Sequence, residues 1–250
     1  MPRYIKVTQT ASTNTYLSRL AATLPGGTVI YTPCQTAGRG QKGNSWESED
    51  GKNLTFSMLI KRPPVKAREQ FCLSEAAAMA VVEVLSSVAG DGFTVKWPND
   101  IYWRDLKVCG MLIENSLDGS DIATCIIGIG INVNQQRFVS DAPNPVSLVN
   151  ITGREHDLDT ILRQVCSRIE QTVASLADNG VRHDLHQRYM AALYRNDGAM
   201  HPYEDAAGHR FNATVADIAP DGTLTLLHDD GTRHDYLFKQ VRHLINNIVL

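Results

Sequence analysis

The sequence predicts an α+β protein: a mixed β-sheet with packed helices, followed by a small all-β module at the C-terminal end. Three observations carry this. Strand-type and helix-type segments intermingle through the first 194 residues. Residues 122–131 form a nearly continuous apolar run of the kind found in central strands. After Arg195 the pattern changes to short alternating strands joined by Asp221-Gly222 and Asp230-Gly231, both strong hairpin signals. The expected division is residues 1–200 as one domain and 201–250 as the β module, which a 250-residue chain accommodates.

Taken in order, residues 4–7 read as a short strand. Ser12-Thr13 offers a helix N-cap before residues 14–22, where Leu17 and Leu20 share a face. Residues 28–33 are β-branched and strand-like. Residues 35–51, rich in Gly, Ser and Asn, read as a long loop, and long loops inside compact domains are often functional. Residues 54–60 resume as a strand. From about 68 to 89 the spacing of Phe71, Ala78, Val82 and Leu85 among alanines predicts a long packed helix. Strands are expected at 93–97, 101–103 and 107–114, and a hairpin at Asp118-Gly119 leads into 122–131. Residues 158–176 and 181–194 read as helices. Strands at 211–218, 223–227 and 233–238 complete the chain.

Composition narrows the function. Apolar residues make up 43% and charged residues 20%, which argues against disorder. The net charge of −3 gives no chain-wide basic field for gripping a polyanion. Residues 1–110 nonetheless hold 13 Lys/Arg against 9 Asp/Glu, and residues 111–250 hold 11 against 18, so a small anion sits better against the first half. Five scattered cysteines, with no C-x-x-C spacing, read as reduced thiols rather than a disulfide frame or zinc site. With no signal-peptide pattern at the start and no apolar run of about 20 residues, the expectation is a cytoplasmic protein without a membrane partner.

Four local features carry chemistry. Gly38-Arg39-Gly40-Gln41-Lys42-Gly43 matches G-x-G-x-x-G after a predicted strand, but no helix opens at the glycines, as a dinucleotide fingerprint requires. Asn44 stands where a P-loop needs Lys. What remains is a loop with two cations, free backbone N–H groups and Trp46, able to fold over phosphates with the indole stacking on a base; alone, it reads equally as a mobile surface turn. In Lys96-Trp97-Pro98-Asn99-Asp100, Pro98 restricts residue 97 to extended backbone, so Asn99 and Asp100 project from a rigid turn. Asp100 there suits Mg²⁺ binding or general-base work, and plain turn chemistry is the alternative. Lys107 begins an otherwise apolar strand with Gly110 three residues on. A buried Lys needs an anion, and a strand Gly marks a close approach; a solvated edge Lys is the alternative. Gly128-Ile129-Gly130-Ile131-Asn132 closes a buried strand with small residues, as a cofactor floor or a crowded packing site. All eight histidines lie at or after His156, so Ser-His-Asp and Cys-His mechanisms have no supporting motif.

In combination and order, Ser12-Thr13-Asn14, Gln35-x-x-Gly38-Arg39-Gly40-x-x-Gly43 with Trp46, Lys96-Trp97-Pro98-Asn99-Asp100, Lys107-x-x-Gly110 and Gly128-x-Gly130-x-Asn132 resemble the biotin protein ligases. The resemblance covers about residues 4–195 and implies the class II aminoacyl-tRNA synthetase/biotin synthetase-like fold, with the β module as an SH3-like barrel. It implies a two-step reaction. Biotin's carboxylate attacks the α-phosphorus of ATP to give biotinyl-5′-adenylate and pyrophosphate. A lysine of a biotin carboxyl carrier protein or domain then takes the biotinyl group and releases AMP.

The resemblance makes Lys107, Arg39 and Asp100 the catalytic set. Lys107 bridges the carboxylate and α-phosphate, Arg39 holds the loop closed, and Asp100 serves Mg²⁺ or orients the incoming amine. Ser12, Thr13, Asn14 and Gln35 are expected around the ureido ring of biotin, with Gly38, Gly40 and Gln41 from the loop and with Gly110, Gly128 and Gly130 admitting its flat body. Arg39, Lys42, Trp46, Asn99, Lys107 and Asn132 are the expected ATP contacts, Trp46 and Asn132 at adenine.

Some members of the family carry a second Arg where this chain has Gln41, a loss of one charge-assisted contact worth about 1.5–3 kcal/mol if buried. Only eleven residues precede Ser12, whereas bifunctional members begin with a helix-turn-helix domain, so no DNA partner is expected. A homodimer is compatible with the resemblance. The competing readings are a lipoate or octanoate ligase of the same broad fold, and a non-catalytic biotin sensor, which requires loss of Lys107 or Arg39.

Overall fold

A computed structural model describes residues 2–41, 44–139 and 144–245. The strands of the body are β1 (Arg3–Lys6), β2 (Gln9–Thr10), β3 (Thr28–Thr32), β4 (Cys34–Gln35), β5 (Leu54–Lys61), β6 (Phe93–Lys96), β7 (Asp100–Trp103), β8 (Leu106–Asp118) and β9 (Asp121–Ile131). Its helices are α1 (Thr13–Leu20), α2 (Phe71–Ala89), α3 (Leu148–Thr152), α4 (Leu158–Ser175) and α5 (Asn179–Ala191). Seven strands form one mixed sheet in the order β1-β3-β5-β9-β8-β7-β6, parallel at β1–β3 and antiparallel elsewhere. The apolar run 122–131 lies in β9, the middle strand, as expected.

Side-chain alternation along β5 and β9 divides the sheet into two faces. Phe56, Met58, Ile127 and Ile129 enter the main core, where they meet the alanine-rich α2 backed by α4 and α5. Small residues at 76–78 and 80 let α2 approach its neighbours closely. This is the one helical segment among the described residues long and apolar enough to cross a membrane, and it is mostly buried inside the fold. On the opposite face α1, capped by Ser12, packs Leu17 and Ala21 onto Ile30, Leu59 and Ile126. That small cluster covers one part of the face. The part at Thr55, Ser57, Gly110, Leu112, Gly128 and Gly130 is left without a helix.

The C-terminal segment forms β10 (His201–Asp205), β11 (Arg210–Ile218), β12 (Leu224–His228), β13 (Arg233–Tyr236) and β14 (Val241–His243), an antiparallel sheet in the order β13-β12-β11-β10-β14. Positive φ at Gly222 and Gly231 bears out the two Asp-Gly turns. The sheet joins the body through shared apolar packing of Tyr203, Leu224 and Val241. Trp97 adds an indole N–H donated to the Gly222 carbonyl at 3.0 Å. A His186 bridge from α5 reaches Glu75 on α2 at 2.7 Å and Asp217 on β11 at 3.4 Å.

Several boundaries differ from the sequence reading. β8 continues four residues past 114, because its partner β9 pairs with it as far as Asp121. α5 starts at Asn179, two residues early, where Asp178 accepts from the Gly180 and Val181 N–H groups. β2, β4, α3, β10 and β14 have no counterpart in the sequence reading; each is five residues or fewer and too short for a periodic signal.

His243 sits in the seam between the two sheets, its ring 4.4 Å from that of Tyr203 and 5.3 Å from that of Tyr194. Burial, reinforced by Lys96, Arg195 and His201, pushes its pKa down to about 3. An unfolded His titrates near 6.5. Between that value and about 3, the unfolded chain binds a proton that the folded chain refuses, so stability falls as pH is lowered through this window. Denaturant unfolding from pH 6.5 to 4 should therefore show a component of about 1.4 kcal/mol per pH unit that His243→Phe removes. An unchanged slope in the variant would assign the acid sensitivity elsewhere.

Candidate active site

The uncovered part of the sheet is floored by bare backbone. Gly110 pairs with Gly130 in one rung, and Leu112 with Gly128 in the next, all on the face away from α2. The glycines are required by what lies on them. A Cβ at Gly130 would collide with Cε2 of Trp46, and one at Gly110 would stand 3.0 Å from Cζ3 of the same ring. A Cβ at Gly128 would collide with Oδ1 of Asn14. The glycine spacing thus marks a close approach, with Trp46 and Asn14 as the groups that approach.

Above this floor is a cavity of about 730 Å³, bounded by the glycine-rich loop, the turn at Trp97–Asp100 and β10 and β14 of the second sheet. Of the residues expected at a site, Ser12, Thr13, Asn14, Gln35, Arg39, Gly40, Gln41, Trp46, Asn99, Asp100, Lys107, Gly110, Gly128 and Gly130 line it. Gly38 supports it from behind: the loop arches through an Arg39–Ser45 bridge, and a Cβ at residue 38 would press within 2.6 Å of the Trp46 carbonyl. Lys42 lies outside the described residues. Asn132, expected at adenine, is buried beside the cavity and donates Nδ2 to the Val146 carbonyl at 3.1 Å. The strand ends at Ile131, and alternation no longer fixes where the next side chain goes.

A β-bulge delivers Lys107. Cys109 pairs with Ile101 and Lys107 with Tyr102, leaving Val108 as an extra residue on β8. Regular alternation would put Lys107 on the core side, opposite to Gly110; the bulge returns it to the cleft, where its Cε lies 3.4 Å from the would-be Cβ of Gly110. Its Nζ makes a 2.7 Å ion pair with Asp100 and stands 5.9 Å from the Trp46 ring centre. The lysine on an apolar strand therefore has the anion that its burial demands. Asn99 donates Nδ2 to the Met111 carbonyl at 2.6 Å and accepts the Met111 N–H at 2.9 Å on its own carbonyl, fixing the turn to β8. Burial, the main influence, and the nearby Lys107 hold the Lys96 pKa below the ordinary lysine value, against the opposing pull of Asp100.

The other end of the floor is a hydrogen-bonded chain. Gln35 Oε1 accepts the Thr13 N–H at 3.0 Å. The Ser57 hydroxyl reaches Thr13 Oγ1 at 2.7 Å and Asn14 Oδ1 at 2.5 Å. Asn14 donates to the Leu112 carbonyl at 3.0 Å and to Glu114 Oε2 at 2.8 Å, and Glu114 holds Arg39 at 3.1 Å. Sequence reasoning missed Ser57 and Glu114, which occupy alternate positions of predicted strands without a local motif. It also missed Glu204, Lys239 and Arg242, which the second sheet brings to the cavity wall.

These residues offer an extended apolar floor, a polar end and a cationic end, a geometry for a flat amphiphilic acid beside a polyanion. No group of three metal-ligating side chains occurs among the described residues, and Asp100, expected to serve Mg²⁺, is paired with Lys107.

The chain belongs to the biotin/lipoate A/B protein ligase family, whose model matches residues 4–132. It is 32% identical over 161 residues to the bifunctional ligase/repressor BirA of Bacillus spizizenii, covering 62% of this chain and 49% of that protein. It is also 32% identical over 160 residues to the biotin–[acetyl-CoA-carboxylase] ligase of Paracoccus denitrificans, covering 62% and 66%. The chain thus matches about half to two thirds of the length of these curated relatives. The biotin protein ligase of Aquifex aeolicus, solved in complex with biotin and ATP, has the same fold at a TM-score of 0.79 and 24% identity, over 98% of this chain and 100% of that one.

Gly128→Ala tests the floor. The added methyl must displace Asn14, which breaks the chain from Ser57 to Glu114. The expected cost is about 1–3 kcal/mol of stability in denaturant unfolding. Unaltered stability would show that the Asn14 position is dispensable.

Proposed function

We propose that this chain is an ATP-dependent biotin–protein ligase. It activates biotin as biotinyl-5′-adenylate with release of pyrophosphate. It then transfers the biotinyl group to a lysine of a biotin carboxyl carrier protein or domain of the acetyl-CoA carboxylase type. The observation that carries the reading is the convergence of Lys107 and Arg39, with the Ser12–Asn14 cap, on one glycine-floored cleft in a member of this ligase family. In this reading residues 1–200 are the catalytic domain, and residues 201–250 are an SH3-like β domain.

The chemistry follows from charge. A carboxylate and a triphosphate repel, so their approach requires fixed cations in a site that excludes water. Lys107 supplies one. On binding, its ammonium exchanges Asp100 for the ligand's anionic oxygens, and Asp100 remains beside it to steady the charge. Arg39 supplies the second from the loop. Thr13, Asn14 and Gln35 offer the ureido group of biotin donors and acceptors already oriented by their own hydrogen bonds. Gly110 and Gly130 leave room for the Trp46 ring, which lies over the floor where it can cover the flat ring system or stack on the base. Mg²⁺ bound with the nucleotide supplies further charge neutralisation at the phosphates.

Lys107→Ala is expected to retain the fold and to lower biotin-dependent pyrophosphate release at least 10²-fold, the scale of losing one transition-state charge contact. Release at the wild-type rate would remove Lys107 from the chemistry. The family also includes lipoate ligases, so the acid is tested separately by titration. Biotin is expected to bind at micromolar or tighter affinity and lipoate not detectably. Lipoate binding without biotin binding would reassign the substrate.

A further inference from the structure

We propose that Glu114 is a positioning residue that parks Arg39 when the site is empty and releases it to the ligand's anion on binding. The inference rests on the function proposed above. Both amide hydrogens of Asn14 are used and its oxygen is held. Its Oδ1 accepts from Ser57, and its two Nδ2 hydrogens go to the Leu112 carbonyl and to Glu114 Oε2. An amide held at three points cannot rotate, so it fixes the carboxylate it touches. Glu114 projects from β8 on the same face as Gly110 and Leu112, at the rim of the floor. Both carboxylate oxygens lie 3.1 Å from Nη2 of Arg39. Glu114 is therefore the joint between the biotin-side chain Gln35–Thr13–Ser57–Asn14 and the glycine-rich loop.

The pair with Arg39 has the right strength for exchange. The two side chains are 47% and 39% exposed. Ion pairs so open to water contribute little, and they weaken as salt rises. A phosphate or carboxylate entering the enclosed cleft outcompetes such a partner. Glu114 is not carried away with the arginine, because Asn14 keeps hold of Oε2. Arg39 thus moves between two anions, and the resting one is anchored to the residues that read the rest of the ligand.

The test is a double-mutant cycle with Glu114→Gln and Arg39→Ala, read as the dissociation constant of a non-hydrolysable biotinyl-adenylate analogue. The amide introduced by Glu114→Gln still accepts from Asn14 but no longer competes for the guanidinium. This single variant should bind the analogue about two- to fivefold tighter than wild type at low salt, as expected for removal of an exposed competing pair. The gain should shrink at about 0.5 M salt and vanish in the Arg39→Ala background. An equal gain in that background shows a general field effect and overturns the proposal. So does unchanged or weaker binding by Glu114→Gln while Arg39→Ala alone still loses affinity. If Arg39→Ala itself binds as tightly as wild type, the assignment of Arg39 to the ligand fails, and the parking role falls with it.

Discussion

Positive charge placed over an apolar sheet must be neutralised, and in this protein two of the cleft cations, Lys107 and Arg39, are paired with carboxylates on strands β7 and β8. Lys107 reaches Asp100 and Arg39 reaches Glu114. The rest of the site follows from keeping those pairs open to an incoming anion. The bulge at Val108 turns Lys107 into the cleft. Gly110 and Gly130 make room beside it for the Trp46 ring. The arch of the loop brings Arg39 back over the rim. Were the pairs buried in the core they would be locks; partly exposed, they are exchangeable.

The second sheet matters to this arrangement because it closes the cleft. Trp97 ties the turn that carries Asp100 to Gly222, and β10 and β14 supply Glu204 and Arg242 to the cavity wall. The weak excess of basic residues in the first 110 positions is consistent with the anion-binding side lying on the body, and the acidic remainder belongs largely to the helices and the second sheet.

Much of the fold was legible because its signals are local. The Ser12 cap, the unbroken apolarity of β9 and the Asp-Gly turns each depend on a few adjacent residues, and each is found where expected. The glycines at 110, 128 and 130 were legible as points of close approach, but not the identity of what approaches, since Trp46 and Asn14 are distant in sequence. Ser57 and Glu114 were illegible for the same reason: a polar residue within a strand reads as ordinary alternation until the partner strand and α1 are in place. The setting of Asn132 was not legible, because its motif continues past the strand end, where burial rather than alternation fixes the side chain. The β-bulge that aims Lys107 leaves no mark in the sequence; the strand simply reads as one residue out of phase.

If Lys107 and Arg39 change partners on binding, a crystal structure with biotin and a non-hydrolysable ATP analogue should show Nζ of Lys107 withdrawn from Asp100 and the Arg39 guanidinium withdrawn from Glu114, each within hydrogen-bonding distance of an anionic ligand oxygen. Ligands bound in the cleft with both protein ion pairs intact would rule the exchange out.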